Sequence, residues 1–383
     1  MRIVYFTETF LPKIDGIVVT LMHLLEYLEK KGHQSIMFAP KGDVTTYAST
    51  QVVQKLSVTL PFYPEMRIAL PIARVEKEVV EFDPDIIHLV NPTSLGLAGL
   101  RVARKHSIPV VASYHTDLPG FARRWRLGFL SGPIYGYYRW IHNRADLNLT
   151  PSQFTKEQLE AKGFKRLAVW KGGVDIARFH PSNRSKEWRK KLTGGQPDKP
   201  LVIFISRLSK EKRVDWLLPV VKEIPEIRLA IVGDGPDRER LERVFKGTPT
   251  VFTGYQSGAD LAAAYCSGDV FAFTGAEETY GNVVAEAMAS GLPVVAPKSG
   301  GVVDLVDDGI TGYLYPPEDR RIFLKRVKQL TGDLDRARKM GKAGRKKAEH
   351  YAWEATLDPL LDLYDEVIRK SKRAEKTKAK LRG

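Results

Sequence analysis

Two glutamates eight residues apart, Glu278 and Glu286, stand in the run Glu277-Glu278-Thr279-Tyr280-Gly281-Asn282-Val283-Val284-Ala285-Glu286, between an apolar strand and a helical stretch ending near Gly291. Glu278 falls in the loop and Glu286 about one and a half turns into the helix, so the carboxylates can serve different parts of one extended ligand. The amides of Tyr280, Gly281, Asn282 and Val283 would face the same ligand, because the start of a helix leaves its N–H groups without intrahelical partners. A capping glutamate and a surface glutamate would look the same in isolation.

A second constellation, Ser206-Arg207-Leu208-Ser209-Lys210-Glu211-Lys212, follows an apolar strand directly. In an open α/β sheet ligands gather beyond the carboxyl ends of the strands, where Arg207 and Lys212 could clamp a diphosphate; a solvated basic loop is the plainer reading. His115 ends another strand, in Tyr114-His115-Thr116-Asp117, and Gly16 closes the strand-to-helix run Pro12-Lys13-Ile14-Asp15-Gly16. One glycine there is not the Gly-x-Gly-x-x-Gly fingerprint, and it would equally mark a simple turn. The nearest candidate for a metal-binding acidic pair, Asp83-Pro84-Asp85, precedes its strand and so sits at the wrong end of a sheet. With Arg207 and Lys212 available to neutralise a leaving diphosphate, no metal and no cofactor is expected.

The run Phe121-Ala122-Arg123-Arg124-Trp125-Arg126-Leu127-Gly128-Phe129-Leu130 interleaves aromatic and aliphatic residues with arginines. Arg123, Arg124, Trp125 and Arg126 would suit an anionic lipid interface. A helix with its apolar face in the core, or a stacking surface for nucleic acid, fits the same pattern.

These residues need elements to hold them. Apolar runs at 3–6, 35–39, 86–90, 110–114 and 147–149 read as strands separated by amphipathic stretches, and 17–31 reads as a helix closed by Gly32. The pattern restarts at 201–205, 228–232, 251–253, 270–273, 294–296 and 312–315. Such alternation gives parallel sheets covered by helices, so the class is α/β. The expected division is a first domain over 1–170, joined by a closing helix 353–368, a second over 171–352, and a frayed basic tail over 369–383. A hinge is expected near Gly172 and Gly173, before the polar segment 180–200.

Composition bounds the function. The chain has 383 residues, 43% hydrophobic and 27% charged, which suits two globular domains rather than disorder. Its single cysteine, Cys266, excludes an internal disulfide and any Cys-rich metal site. No leader opens it and no apolar run reaches the roughly 18 residues that span a bilayer, so a cytoplasmic protein is expected, peripheral at most. The net charge of +15 draws phosphates, whether on nucleic acid, nucleotide or lipid.

Gly16, His115, Arg207 with Lys212, and Glu278 with Glu286 resemble, in order and spacing along nearly the whole chain, the retaining GT-B glycosyltransferases of the group 1 family, family four. Ile231-Val232-Gly233-Asp234-Gly235-Pro236, Ala289-Ser290-Gly291-Leu292-Pro293-Val294-Val295 and Gly309-Ile310-Thr311-Gly312 are also similar to that family. Ser206 departs from it, where glycine is more frequent. The resemblance implies two Rossmann-like domains flanking a cleft, with a C-terminal helix crossing back. It implies a nucleotide-sugar donor, UDP or GDP, with its diphosphate between Arg207, Lys212 and the Gly16 loop, Glu286 on the ribose, Glu278 and the amides after it near the transferred sugar, and His115 reaching that sugar. It also implies retention without a protein nucleophile.

Within the family, Phe6-Thr7-Glu8-Thr9-Phe10-Leu11-Pro12-Lys13-Ile14-Asp15-Gly16-Ile17 and Ser113-Tyr114-His115-Thr116 are most similar to sulfoquinovosyltransferases, and Asp117-Leu118-Pro119-Gly120-Phe121-Ala122 to mannosyltransferases of glycosylated diacylglycerol that use GDP-mannose. Both imply a lipid acceptor at an anionic membrane surface on the inner face of the cell membrane. A soluble or polysaccharide acceptor is the main alternative. Nucleic-acid binding is the remote one, since it leaves both glutamates unexplained.

Overall fold

The computed structural model describes residues 1–60, 63–69, 74–117, 120 and 128–382. The chain divides into two compact units, Met1–Lys171 with Thr356–Gly383, and Gly172–Ala355. The first is built on strands β1 (Arg2–Thr7), β2 (Gln34–Pro40), β3 (Thr46–Tyr47), β4 (Thr50–Lys55), β5 (Ser57–Leu60), β6 (Tyr63–Ala69), β7 (Ile86–Val90), β8 (Val110–Ser113), β9 (Leu147–Thr150) and β10 (Leu167–Val169). Eight of them form one sheet in the order β10-β9-β8-β7-β1-β2-β4-β3, parallel except for the β3–β4 pair, while β5 and β6 make a separate hairpin.

Residues Ile3, Val4, Tyr5, Phe6, Ile86, Ile87 and Leu89 are wholly buried, because helices cover both faces of a parallel sheet and leave its strands no wet side. Register aligns the carboxyl ends: Thr7 pairs with Val90, Val90 with Ser113, and Ser113 with Leu149. The residues leaving that edge, Glu8, Asn91 and His115, are therefore brought to one side by the pairing itself.

The second unit carries β11 (Leu201–Ile205), β12 (Arg228–Val232), β13 (Thr250–Gly254), β14 (Val270–Ala272), β15 (Val294–Pro297) and β16 (Gly312–Tyr315) in one parallel sheet, ordered β13-β12-β11-β14-β15-β16. Five strands read from the first half of the sequence are present, but those at 46–69 and at 167–169 were not foreseen, the former mixing polar and apolar residues and the latter being three residues long.

The frayed tail expected at 369–383 is corrected: one helix runs from Trp353 to Arg382. Extending an existing helix through Lys, Arg, Ala and Glu adds a hydrogen bond per residue without a new nucleus, so an apolar period is unnecessary. Its first half is anchored in the first unit, where Trp170 Nε1 donates to the Thr356 carbonyl at 3.1 Å and Tyr27 donates to Asp358. The Tyr364 hydroxyl meets His88 Nδ1 inside the core, and His88 Nε2 lies 2.9 Å from Ser113 Oγ. Burial lowers the His88 pKa to about 3, so this ring is neutral. Removing the hydroxyl strands a buried ring nitrogen, and Tyr364→Phe is expected to cost about 1–3 kcal/mol in urea denaturation. An unchanged midpoint would show that the hydroxyl does not hold the helix.

Candidate active site

In the second unit, every charged residue singled out from the sequence follows the carboxyl end of a strand or lies on the helix beyond it. Arg207 is half-buried in the loop after β11, and Lys212 ends a one-turn 3-10 helix, Lys210–Lys212. Two glycines set this loop close against its neighbour. A Cβ on Gly233 would lie 2.0 Å from the Ser206 carbonyl oxygen, and one on Gly235 would lie 2.3 Å from that of Leu208. Leu208 N donates to Asp234 O at 2.8 Å, so backbone packs on backbone. The Gly-Asp-Gly run is thus the shelf under Arg207.

Lys212 is aimed from three sides. Its carbonyl accepts from Thr274 Oγ1, its ammonium lies 5.6 Å from the centre of the Phe273 ring, and Gly275 leaves room for its stem. The ammonium makes an ion pair with Glu278, both side chains about four-fifths buried at 19% and 22% exposure. That pairing was not foreseen. At that depth each charge lowers the cost of desolvating the other.

The Glu278 backbone rests on another pair of glycines. Gly301 N donates to Glu278 O at 2.8 Å; a Cβ on Gly300 would lie 2.2 Å from that oxygen, and one on Gly301 would lie 2.4 Å from Thr279 O. Gly281, at φ 104°, occupies the left-handed region and caps the helix Asn282–Ala289. Its carbonyl accepts from Val284 and Ala285, so the amides of Asn282 and Val283 precede the first intrahelical bond. Tyr280 is buried, and its ring lies against Gly172, where a Cβ would come within 2.7 Å. Gly172 and Gly173 therefore have packing reasons to be glycine, the latter facing the Trp353 ring at 2.3 Å.

Glu286 is half-buried on that helix and accepts from the Tyr265 hydroxyl at 2.8 Å. Burial pushes its pKa up to about 7, with the Tyr265 bond and the Arg178 charge opposing. Such a carboxyl needs further donors to ionise comfortably.

In the first unit, His115 follows β8, with its ring 5.9 Å from the Trp170 ring. Burial lowers its pKa to about 4, against the pull of Asp15 and with a smaller push from His142, so the imidazole is neutral at ordinary pH. Gly16 opens the helix Gly16–Lys30, but Asp15 Oδ1 already accepts from the Ile17 and Val18 amides at 3.0 Å each, and Asp15 Oδ2 pairs with Lys13 at 2.9 Å. A phosphate near Gly16 would share the place with a carboxylate.

Glu8, overlooked in the sequence, caps the helix Ser94–Lys105 by accepting from Leu95 N at 2.6 Å and Thr93 N at 3.2 Å. Asp83 ends the helix Glu76–Phe82 in a left-handed turn and Asp85 accepts from Arg2 N at 2.9 Å, so both serve the amino edge of the sheet. Among the described residues no three His, Cys, Asp or Glu side chains are grouped to hold a metal ion. Arg123, Arg124, Trp125 and Arg126 lie outside the described residues.

Because the folded pKa of Glu286 exceeds the ordinary 4.5, the fold favours the neutral acid. That contribution is full below about pH 4.5 and is lost as pH rises through about 7. The stability gap between wild type and Glu286→Gln, read by urea denaturation, should therefore move in favour of the glutamine variant from about pH 5 to 8. A gap constant with pH would mean that the carboxylate is ionised throughout.

The chain matches the family described as Glycosyltransferase Family 4 over residues 14–178 and that described as Glycosyl transferases group 1 over residues 199–333. It is 37% identical to the sulfoquinovosyl transferase SQD2 of Arabidopsis thaliana over 363 residues, covering 92% of this chain and 71% of the relative. It is also 37% identical to a GDP-mannose-dependent alpha-mannosyltransferase of Mycobacterium tuberculosis over 376 residues, 96% and 97% of the two chains. Similarity to an alpha-monoglucosyldiacylglycerol synthase of Streptococcus pneumoniae is 30% over 334 residues, 82% and 75%. Sucrose-phosphate synthase from Thermosynechococcus elongatus shares the fold, at TM-score 0.80 and 20% identity over 96% of this chain and 99% of that one. Two largely parallel α/β sheets, each with polar or charged residues leaving its strands' carboxyl ends, and these matches along both units place the chain among the GT-B glycosyltransferases of the group 1 family.

Proposed function

We propose that this glycosyltransferase moves a hexose from a nucleoside diphosphate donor, UDP-sulfoquinovose or GDP-mannose, onto a diacylglycerol-type lipid with retention at the anomeric carbon, without metal or cofactor. The observation that carries the reading is the Lys212–Glu278 ion pair, set beside the Asn282 and Val283 amides at the carboxyl end of a parallel sheet. Positive charge, oriented N–H groups and a carboxylate are what a diphosphate joined to a polyhydroxyl ring requires.

The donor's diphosphate takes Lys212 and Arg207, and Glu278 is then released to accept from sugar hydroxyls. Glu286 accepts from the ribose hydroxyls, the additional donors that its raised pKa calls for. The bond from the anomeric carbon to the β-phosphate oxygen breaks, with Lys212 and Arg207 balancing the charge that grows on the leaving group. The acceptor hydroxyl adds on the same face, and its proton passes to the departing phosphate oxygen. The protein's share is positioning and charge stabilisation. In the first unit, the neutral imidazole of His115 is suited to a hydroxyl rather than to a phosphate.

The lipid acceptor rests on the relative named as a monoglucosyldiacylglycerol synthase and on the net charge of +15, which favours an anionic membrane surface on the inner face of the cell membrane. No helix among the described residues is long and apolar enough to cross a membrane, so contact would be peripheral.

Purified protein offered UDP-sulfoquinovose, UDP-glucose, UDP-galactose and GDP-mannose with diacylglycerol and glycosyl-diacylglycerol vesicles should yield product in a sulfoquinovose or mannose lane. Lys212→Ala and Glu278→Ala should each lower kcat roughly 100- to 1,000-fold, the scale for one preorganised charge-stabilising group, with folding retained. Activity within twofold of wild type in either variant would remove that residue from the reaction. Glycosylation of soluble acceptors alone would keep the donor assignment and refute the lipid.

A further inference from the structure

From Leu118 to Ala145 the chain has no Asp or Glu, five arginines and seven aromatic residues. The described part of this stretch contains the helix Ser131–His142, preceded by the turn Gly128–Leu130. The inner face of the helix is buried: Tyr138 and Ile141 are 1% and 0% exposed in the first unit's core. Its other face carries large rings in the open. Phe129 is 75% exposed, Trp140 43% and Tyr137 37%.

Within the helix Tyr137 and Trp140 stand three residues apart and so share a face, Arg144 follows just after the helix ends, and Phe129 lies in the turn before it. Tyr137 and Trp140 stack at 6.4 Å with their planes 15° apart, and the Arg144 guanidinium lies 4.1 Å from the centre of the Trp140 ring. Arg139 and Arg104 are exposed beside these residues, and Arg104 donates to the Arg144 carbonyl, joining the neighbouring helix Ser94–Lys105 to the patch. Phe129 and Trp140, with Tyr137 whose hydroxyl donates to the Thr93 carbonyl at 2.9 Å, stand beside three exposed arginines, and such a face fits a surface that is apolar below and anionic above.

We infer that the exposed face of the helix Ser131–His142, with Phe129, docks the protein on anionic lipid bilayers, with Phe129, Tyr137 and Trp140 at the headgroup boundary and Arg104, Arg139 and Arg144 on lipid phosphates. Indole and phenol rings are amphipathic and prefer that boundary, whereas a protein partner for the arginines would have to supply acidic groups at matching points. The inference extends the lipid-acceptor reading, yet it is tested without any acceptor.

Full-length protein is floated with phosphatidylcholine vesicles containing phosphatidylglycerol, and with phosphatidylcholine alone. Wild type should partition onto the anionic vesicles, and Phe129→Ser with Trp140→Ser should weaken partition at least about tenfold, as loss of two ring anchors implies. The control Tyr255→Ser, which removes a ring 62% exposed in the second unit, should leave partition unchanged. Brominated lipid should quench tryptophan emission in wild type, and the quenched fraction should fall in Trp140→Phe by the share that Trp140 contributes, whatever Trp125 adds.

Quenching undiminished by Trp140→Phe, or undiminished flotation of the double variant, overturns the proposal while leaving the lipid acceptor standing. Anionic-vesicle binding abolished by single-stranded RNA at equal charge would reassign the patch to nucleic acid. Transfer confined to soluble acceptors, with flotation intact, would instead defeat the acceptor reading alone.

Discussion

The contact between the Lys212 ammonium and the Glu278 carboxylate is a largely buried ion pair beyond the carboxyl ends of the second unit's strands, and the elements around it can be understood as its supports. A charged pair four-fifths buried is costly unless both members are held, since loss of either leaves an unpaired charge in a poorly solvated place. The protein holds them through backbone. Gly233 and Gly235 bring the β12 loop onto the Arg207 loop, Gly300 and Gly301 bring the β15 loop onto Glu278, and Thr274 fixes the Lys212 carbonyl. Any Cβ at those glycines would meet a carbonyl oxygen at 2.0–2.4 Å, so their identity is dictated by approach distance.

The first unit uses a different principle. Burial keeps two of its imidazoles neutral, His115 with a pKa lowered to about 4 and His88 to about 3, and it also pushes the Glu8 carboxyl up. His88 ties Ser113 to Tyr364, so the strand that delivers His115 and the terminal helix share one buried polar chain. Neutral donors and acceptors discriminate hydroxyl patterns without attracting every anion, whereas the second unit's cations attract phosphates.

The sequence was readable where a single physical cause acts locally. Strands 86–90, 201–205, 228–232 and 312–315 have the expected bounds because continuous apolar runs in buried parallel strands leave one interpretation. The helix after Gly281 was expected from the same logic. What escaped depends on distant partners. Nothing near residue 8 announces that Glu8 will cap a helix at 93–96, and nothing near His88 announces Tyr364. The opposition of Lys212 to Glu278, 66 residues apart, arises only when β11 and β14 become neighbours in the sheet. The tail misled for the converse reason: a helix that continues another needs no apolar period of its own.

If Lys212 and Arg207 stabilise a diphosphate that leaves from the face the acceptor enters, the new bond must have the configuration of the old one. The decisive measurement is the proton NMR spectrum of the product formed from an α-linked nucleotide sugar, read at the anomeric position before any equilibration. An α-glycoside is the predicted result. A β-glycoside would require attack from the opposite face, with a general base on that side, and would contradict the role assigned to the Lys212–Glu278 pair.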